Sequence, residues 1–365
     1  MSSKSTLVTS LVIVVIVFAG VGATLFIANP YEPSRVAIVT MEPGLNDLSM
    51  ANQVQEGLEN LSFDVSVTYE PFNTTLDDAE DTLDNLASSG RFLLILVVGN
   101  FFESALETVA ERHPNQYFAI INGQVSGDNI VSADFLMNEG AYLGGIIAAF
   151  LASERAGNES VGVLAAVNDN EKITQLVNGF IEGVIEANET YNLNITLIPT
   201  RYIDSFYDDD TAEDMIYDFF IEDNATVVFT PVRSSMRGIR AGLEAVNQTW
   251  YLDPNVNHLQ RRPIIVAAEY DLNYYGTANP DIPVDPSWVA TSVVARTDRA
   301  TYNILYETLW NRFSGIQSNV TGLQGGWVNI TGFEYSSTYI SNYTIAAVKY
   351  YNEYYLANET WPAYL

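Results

Sequence analysis

The 365-residue chain contains no cysteine, which excludes disulfides, thiolate metal sites, a cysteine nucleophile and a lipidated N-terminal cysteine. Histidine is nearly absent as well. His113 and His258 are the only two, too few to make a metal centre and neighbours of no plausible nucleophile. Basic residues are scarce: 16 Lys and Arg stand against 45 Asp and Glu, for a formal charge of −29. That balance argues against nucleic-acid binding, which needs clustered cations, and against adsorption to anionic lipid. It suits a solvated extracellular or salt-adapted surface. No Gly-x-Gly-x-x-Gly follows the first predicted strand, so a dinucleotide-binding oxidoreductase is not supported. The run Asp208, Asp209, Asp210 reads as a solvated helix start rather than a hard-cation site. No catalytic constellation emerges, and neither a metal nor a cofactor is expected.

What is present begins with one long apolar run. Thr6 to Ala28 carries no charge and is long enough to span a bilayer. A retained anchor is expected over residues 6–28, with residues 1–5 cytoplasmic because of Lys4 and the remainder outside the cell. A cleaved signal peptide is the alternative, since Val21, Gly22 and Ala23 resemble a cleavage site. Eleven Asn-x-Ser/Thr sequons (Asn60, Asn73, Asn158, Asn188, Asn194, Asn224, Asn247, Asn319, Asn329, Asn342 and Asn358) support an external, glycosylated body.

After a linker at residues 29–34, strand and helix patterns alternate. Strands are predicted at Arg35–Thr40, Asp64–Tyr69, Phe92–Gly99, Gln116–Asn122 and Asn129–Phe135, with helices at Asp47–Leu61, Leu76–Ser88, Phe102–His113 and Asn138–Ser153. A second series places strands at Ser160–Val167, Asn194–Ile203, Ala225–Val232, Pro263–Tyr270 and Trp288–Val294. Its helices lie near Ile173–Ala187, Thr211–Glu222, Met236–Val246 and Thr297–Phe313. Repeated βα units imply parallel sheets covered on both faces, and two series imply two doubly wound α/β lobes. Ligands of such sheets sit outside the carboxyl ends of the strands, here in a cleft between lobes. The loops at those ends offer Asn46, Asp47 and Ser49, then Gly99 to Phe102, Asn122, Asn168 to Asn170, Asp204 to Asp208, Arg233, and Glu269 to Asp271. Amides, carboxylates and aromatics together suit a polar ligand with a flat ring. The helix at Asn138–Ser153 carries rows of small residues, Gly140, Gly144, Ala148 and Gly145, Ala149, that allow close packing against a sheet.

These residues resemble the basic membrane protein family, the purine-nucleoside-receptor-like substrate-binding components of ABC transporters. The likeness runs from Arg35 to Phe313. It is carried by the turn Asn46, Asp47, Ser49, by Gly99 to Asn122, by Ser160 to Gly183, by Thr291 and Ser292, and most specifically by Val131 to Ala149 with its Glu139, Gly140, Leu143, Gly145 core. The resemblance implies a type I periplasmic-binding-protein clamp. Residues 35–133 and 295–318 would form one lobe, and 134–294 with most of 319–365 the other. It further implies a monomer that captures a nucleoside-like ring compound and hands it to a membrane permease. Carried over by position, the ligand-binding set is Asn46, Asp47, Met50, Asn122, Asp169, Phe206, Glu269, Asp271 and Arg296. Phe206 matches one stacking aromatic, and the other falls at Met50. The family's Asp on strand four is Asn122, its Lys falls at Ala295 beside Arg296, and its Gly-rich turn reads Thr230 to Ser235. An anchored sensor or scaffold with a divergent pocket is the alternative function.

Overall fold

In a computed structural model, the residues described are 33–62, 66–155, 159–253, 261–284, 286–315 and 318–358. The expected anchor at 6–28 and the sequon Asn158 lie outside them. No helix among the described residues is long and apolar enough to cross a membrane.

The first lobe is a parallel sheet. Its strands are β1 (Ser34–Met41), β2 (Val67–Thr74), β3 (Leu94–Val98), β4 (Tyr117–Ile121), β5 (Ile130–Phe135) and β12 (Ser318–Thr321), in the order β12-β5-β4-β3-β1-β2. Helices α1 (Met50–Ser62), α2 (Ala79–Ser88), α3 (Glu103–Arg112) and α8 (Thr297–Leu309) pack on it. Strands β3 to β5 are almost wholly buried and consist mainly of Leu, Ile, Val, Ala and Phe, with Tyr117, Ser132 and Asp134 the exceptions, as a sheet covered on both faces requires.

The second lobe repeats the plan. Strands β6 (Ser160–Ala165), β7 (Thr196–Leu197), β8 (Arg201–Tyr202), β9 (Val227–Thr230), β10 (Ile264–Ala268), β11 (Val289–Ala295) and β13 (Val328–Ile330) form a sheet ordered β13-β11-β10-β9-β6-β7, with β8 also on β6. All pair parallel except β13, which runs antiparallel to β11. Its helices are α4 (Met137–Ser153), α5 (Glu171–Tyr191), α6 (Asp209–Ile221), α7 (Met236–Leu252) and α9 (Asn342–Asn358). The expected strand at Asn194–Ile203 is broken into β7 and β8. Pro199 stands between them and has no N–H to give a ladder.

Helix α4 is buried nearly from end to end. Its glycines split between two neighbours. A Cβ on Gly140 or Gly144 would press on Val293 of β11, so that row meets the sheet. A Cβ on Gly145 would sit 2.0 Å from the Phe180 carbonyl, and one on Gly183 would sit 2.0 Å from the Tyr142 carbonyl, so the other row brings α4 and α5 into backbone contact. The chain passes from the first sheet to α4 after Phe135, returns through Ala295 to α8, and leaves again after Thr321 for β13. At the last passage the buried Glu139 carboxylate accepts the Leu323 N–H at 2.7 Å. Burial pushes this carboxyl up, with that hydrogen bond opposing.

Candidate ligand-binding cleft

The loops that leave the strands' carboxyl ends meet between the lobes. From the first lobe, the turn before α1 buries Asp47. Its carboxylate accepts the Ser49 N–H (3.0 Å) and hydroxyl (2.7 Å), which shapes the helix start. The same carboxylate accepts the Ser234 hydroxyl of the opposite lobe at 2.7 Å, so Asp47 both shapes the turn and bridges the cleft. Further bridges are Arg237 to the Asn46 carbonyl (2.7 Å), Asn170 to Asn100 (3.1 Å) and Tyr270 to Glu56 (2.7 Å). The lobes are therefore closed on one another.

Three planar groups sit at the centre. The Phe101 and Phe206 rings, one from each lobe, have centroids 5.7 Å apart. The Arg233 guanidinium stands 5.5 Å from the first and 5.1 Å from the second, within cation–π range of both. Arg233 follows β9 with φ 51°, a left-handed conformation that favours glycine and that here throws a long side chain into the cleft. Asn122 (φ 61°) and Glu269 (φ 73°) leave β4 and β10 in the same conformation. Such backbone strain in non-glycine residues clusters at functional sites.

The polar atoms at this point are poorly satisfied. Arg233 Nη2 lies 3.2 Å from Glu269 Oε1, and both side chains are buried, 9% and 1% exposed. The pair is a contact of charges rather than an aligned hydrogen bond: Arg233 Nε and Nη2 and both Glu269 oxygens have no hydrogen-bond partner. Asn122 Oδ1 is likewise buried and unpartnered. Each such atom costs about 1–3 kcal/mol when it is left without a partner. Burial pushes the Glu269 carboxyl up, Arg233 opposes this, and Asp47 adds to it.

Two cavities flank the aromatic pair. The inner one, about 30 Å³, is lined by Asp47, Met50, Asn122, Phe101, Phe206 and Arg233 among others. It has room for a water or two and for no ring compound. The outer one is an open chamber of about 630 Å³ lined by Glu42, Thr75, Asp169, Asn170, Phe206 and Tyr207 among others. Phe101 and Phe206 border both.

Of the nine residues expected at the site, Asp47, Met50, Asn122 and Phe206 line the inner cavity, and Glu269 stands against Arg233. Asp169 faces the outer chamber, and Asn46 meets the other lobe through its backbone carbonyl. Asp271 and Arg296 line neither cavity. Asp271 accepts the Asn273 N–H of its own turn (3.1 Å). Arg296 precedes α8 and forks onto Asp298 at 2.9 and 2.8 Å, nearly half exposed, so it cannot supply the charge missing at Ala295. Phe101 and Arg233 are the additions. Their loops stood out as strand ends, but the left-handed turn that aims Arg233 inward leaves no mark in the sequence. Asp208 caps α6, accepting the Thr211 N–H at 3.0 Å, and no group of metal-ligating side chains occurs among the described residues.

Residues 34–356 match the model of the family described as ABC transporter substrate-binding protein PnrA-like. The chain belongs to this family. It is similar to the ABC transporter nucleoside-binding protein BmpA of Lactococcus lactis, 23% identical over 314 residues and covering 81% of each chain. An uncharacterized lipoprotein of Pyrococcus abyssi is 32% identical over 138 residues, 37% of this chain and 34% of that one. The fold matches the crystal structure of an ABC transporter system solute-binding protein from Aeropyrum pernix, with TM-score 0.78, 21% identity and coverage of 91% and 94% of the two chains. PnrA-like proteins bind small molecules for ABC permeases and are not enzymes, and the chain is a substrate-binding component of this kind.

Proposed function

We propose that the chain captures a nucleoside, or a polar ring compound of similar size, between its lobes on the outer face of the membrane and delivers it to an ABC permease. One observation carries the ligand class: the cleft holds two aromatic rings, Phe101 and Phe206, beside buried polar atoms that lack partners. Rings stack on a base and tolerate any base, while unpaired donors and acceptors select among its edges. The relative named as a nucleoside-binding protein supports the same class. The apolar stretch at residues 6–28 supplies the anchor, the chain having no cysteine to carry a lipid. The exposed sequons Asn60, Asn73, Asn194, Asn247, Asn329 and Asn342 are glycan acceptors in this reading.

Isothermal calorimetry on the external body with a panel of nucleosides, free bases, sugars and amino acids tests the ligand class. A nucleoside should bind, and Phe206→Ala and Asn122→Ala should each weaken it by about 1–3 kcal/mol. Binding of sugars or amino acids alone would sink the reading.

A further inference from the structure

The Arg233 atoms that make no hydrogen bond are not an arbitrary pair, although Nη2 also stands 3.2 Å from Glu269 Oε1 in an ion pair. Nε and Nη2 lie on one edge of the guanidinium and donate in parallel, as the same atoms do in the Arg296–Asp298 and Arg312–Glu307 pairs of this chain. An edge of this kind fits two adjacent acceptors. A carboxylate or phosphate offers them, and so does the O6/N7 edge of a 6-oxopurine.

The surroundings decide between these. Arg233 is paired with the Glu269 carboxylate, and a second carboxylate, Asp47, lines the same cavity, so the centre does not welcome an anion. Both Glu269 oxygens and Asn122 Oδ1 also need donors, which a carboxylate or phosphate lacks. A 6-oxopurine is neutral, pairs O6 with N7 on one edge, and carries N1–H on the next, with an added amino group in guanine. Adenine places a donor at N6 beside N7, and Arg has no acceptor to meet it.

We propose, on the basis of the nucleoside reading above, that Arg233 makes the cleft selective for 6-oxopurine nucleosides, guanosine and inosine, over adenosine. Its Nε/Nη2 edge receives O6 and N7, and the neighbouring carboxylate and amide receive the ring donors. Arg233 is a specificity residue: the ring pair holds any base, and the guanidinium chooses which.

The test is calorimetric competition of guanosine, inosine and adenosine on the wild-type chain and on Arg233→Gly and Arg233→Lys. Glycine suits φ 51°, so that variant keeps the backbone unstrained, and thermal melts confirm that both variants fold. The wild type should bind the two 6-oxopurines at least about tenfold more tightly than adenosine, the lower end for a bidentate contact. Arg233→Gly should bring the three within about threefold, and Arg233→Lys, charged but without the fork, should lose most of the preference. Nucleoside binding with no such preference, or a preference that survives in Arg233→Gly, overturns the assignment and leaves the nucleoside reading standing. Guanosine monophosphate binding more tightly than guanosine assigns the fork to phosphate and overturns it too. No nucleoside binding at millimolar concentration overturns the reading and this inference together.

Discussion

Asp134, on the last strand before the chain leaves the first lobe, lies 2.6 Å from Lys172 Nζ at the start of α5 in the second, and both side chains are buried. Gln124 donates a second hydrogen bond to the same carboxylate at 2.7 Å. The ion pair sits beside the first passage between lobes and ties the two lobes together. A buried pair of this kind is costly to break because the remaining charge has no water.

Lys172→Met should therefore destabilise the protein by about 3–5 kcal/mol, while the double variant Asp134→Asn/Lys172→Met recovers most of the loss. Urea unfolding of the three proteins checks this. A single variant within about 1 kcal/mol of wild type would show that the pair is solvated in solution.

Glu139 gives a pH dependence of definite sign. Its carboxyl is held above the usual 4.5 by burial, so the folded chain binds its proton more tightly than the unfolded one. This group's contribution is least favourable above its folded pKa and improves as pH falls through that value toward 4.5. Glu139→Gln keeps an acceptor for the Leu323 N–H and removes the titration. Unfolding free energies between pH 4.5 and 8 should show a flatter decline for Glu139→Gln, with equal or greater stability at neutral pH. Parallel curves for the two proteins would mean that Glu139 is hydrated.

The glycine rows of α4 predict a steric penalty. Gly145→Ala sets a methyl group 2.0 Å from the Phe180 carbonyl and 2.9 Å from the Val184 N, both backbone atoms of α5. The gain in helix propensity, about 1 kcal/mol, cannot offset that clash, and a net loss of about 1–3 kcal/mol is expected. Gly332→Ala, with nothing within 4 Å, is the control and should be neutral. Equal melting temperatures for the two variants would show that α4 and α5 part without cost.

Much of this architecture is legible in the sequence. The strands around β1, β3, β4, β6, β9 and β10 announce themselves as largely apolar runs, β5 by alternation, and α4 by small residues at i, i+4. Asp47, Asn122 and Phe206 are found because they end strands or follow them. The short strands β12 and β13 and the Tyr-rich α9 escape notice, since a three- or four-residue strand carries too few residues to show a period. Arg296 misleads for a physical reason: it stands next to the right position, but it precedes α8 and has Asp298 two residues away to fork onto. Arg233 shows in the sequence only as one of the strand-end loop residues, because its place at the centre depends on a left-handed φ that sequence assigns to glycine.

Closure of the cleft supplies the last prediction. The inner cavity is about 30 Å³, and Phe101 and Phe206, at 5.7 Å between centroids, leave no slot for a base, which needs about 3.5 Å of clearance from each ring. Because the rings belong to different lobes, a ligand must enter while the lobes are apart, by hinge motion at the three passages of the chain. The absence of native cysteine makes this testable by crosslinking. Glu56 and Tyr270 face each other across the mouth, the tyrosine hydroxyl 2.7 Å from the carboxylate. Glu56→Cys/Tyr270→Cys, bridged by a short bismaleimide in ligand-free solution, should lose binding of a nucleoside that the unbridged double variant still binds. The same reagent added after saturation should trap the ligand and slow its release by orders of magnitude. Undiminished binding after bridging without ligand would mean that a route into the pocket exists with the lobes closed, and that the ring pair is not the gate.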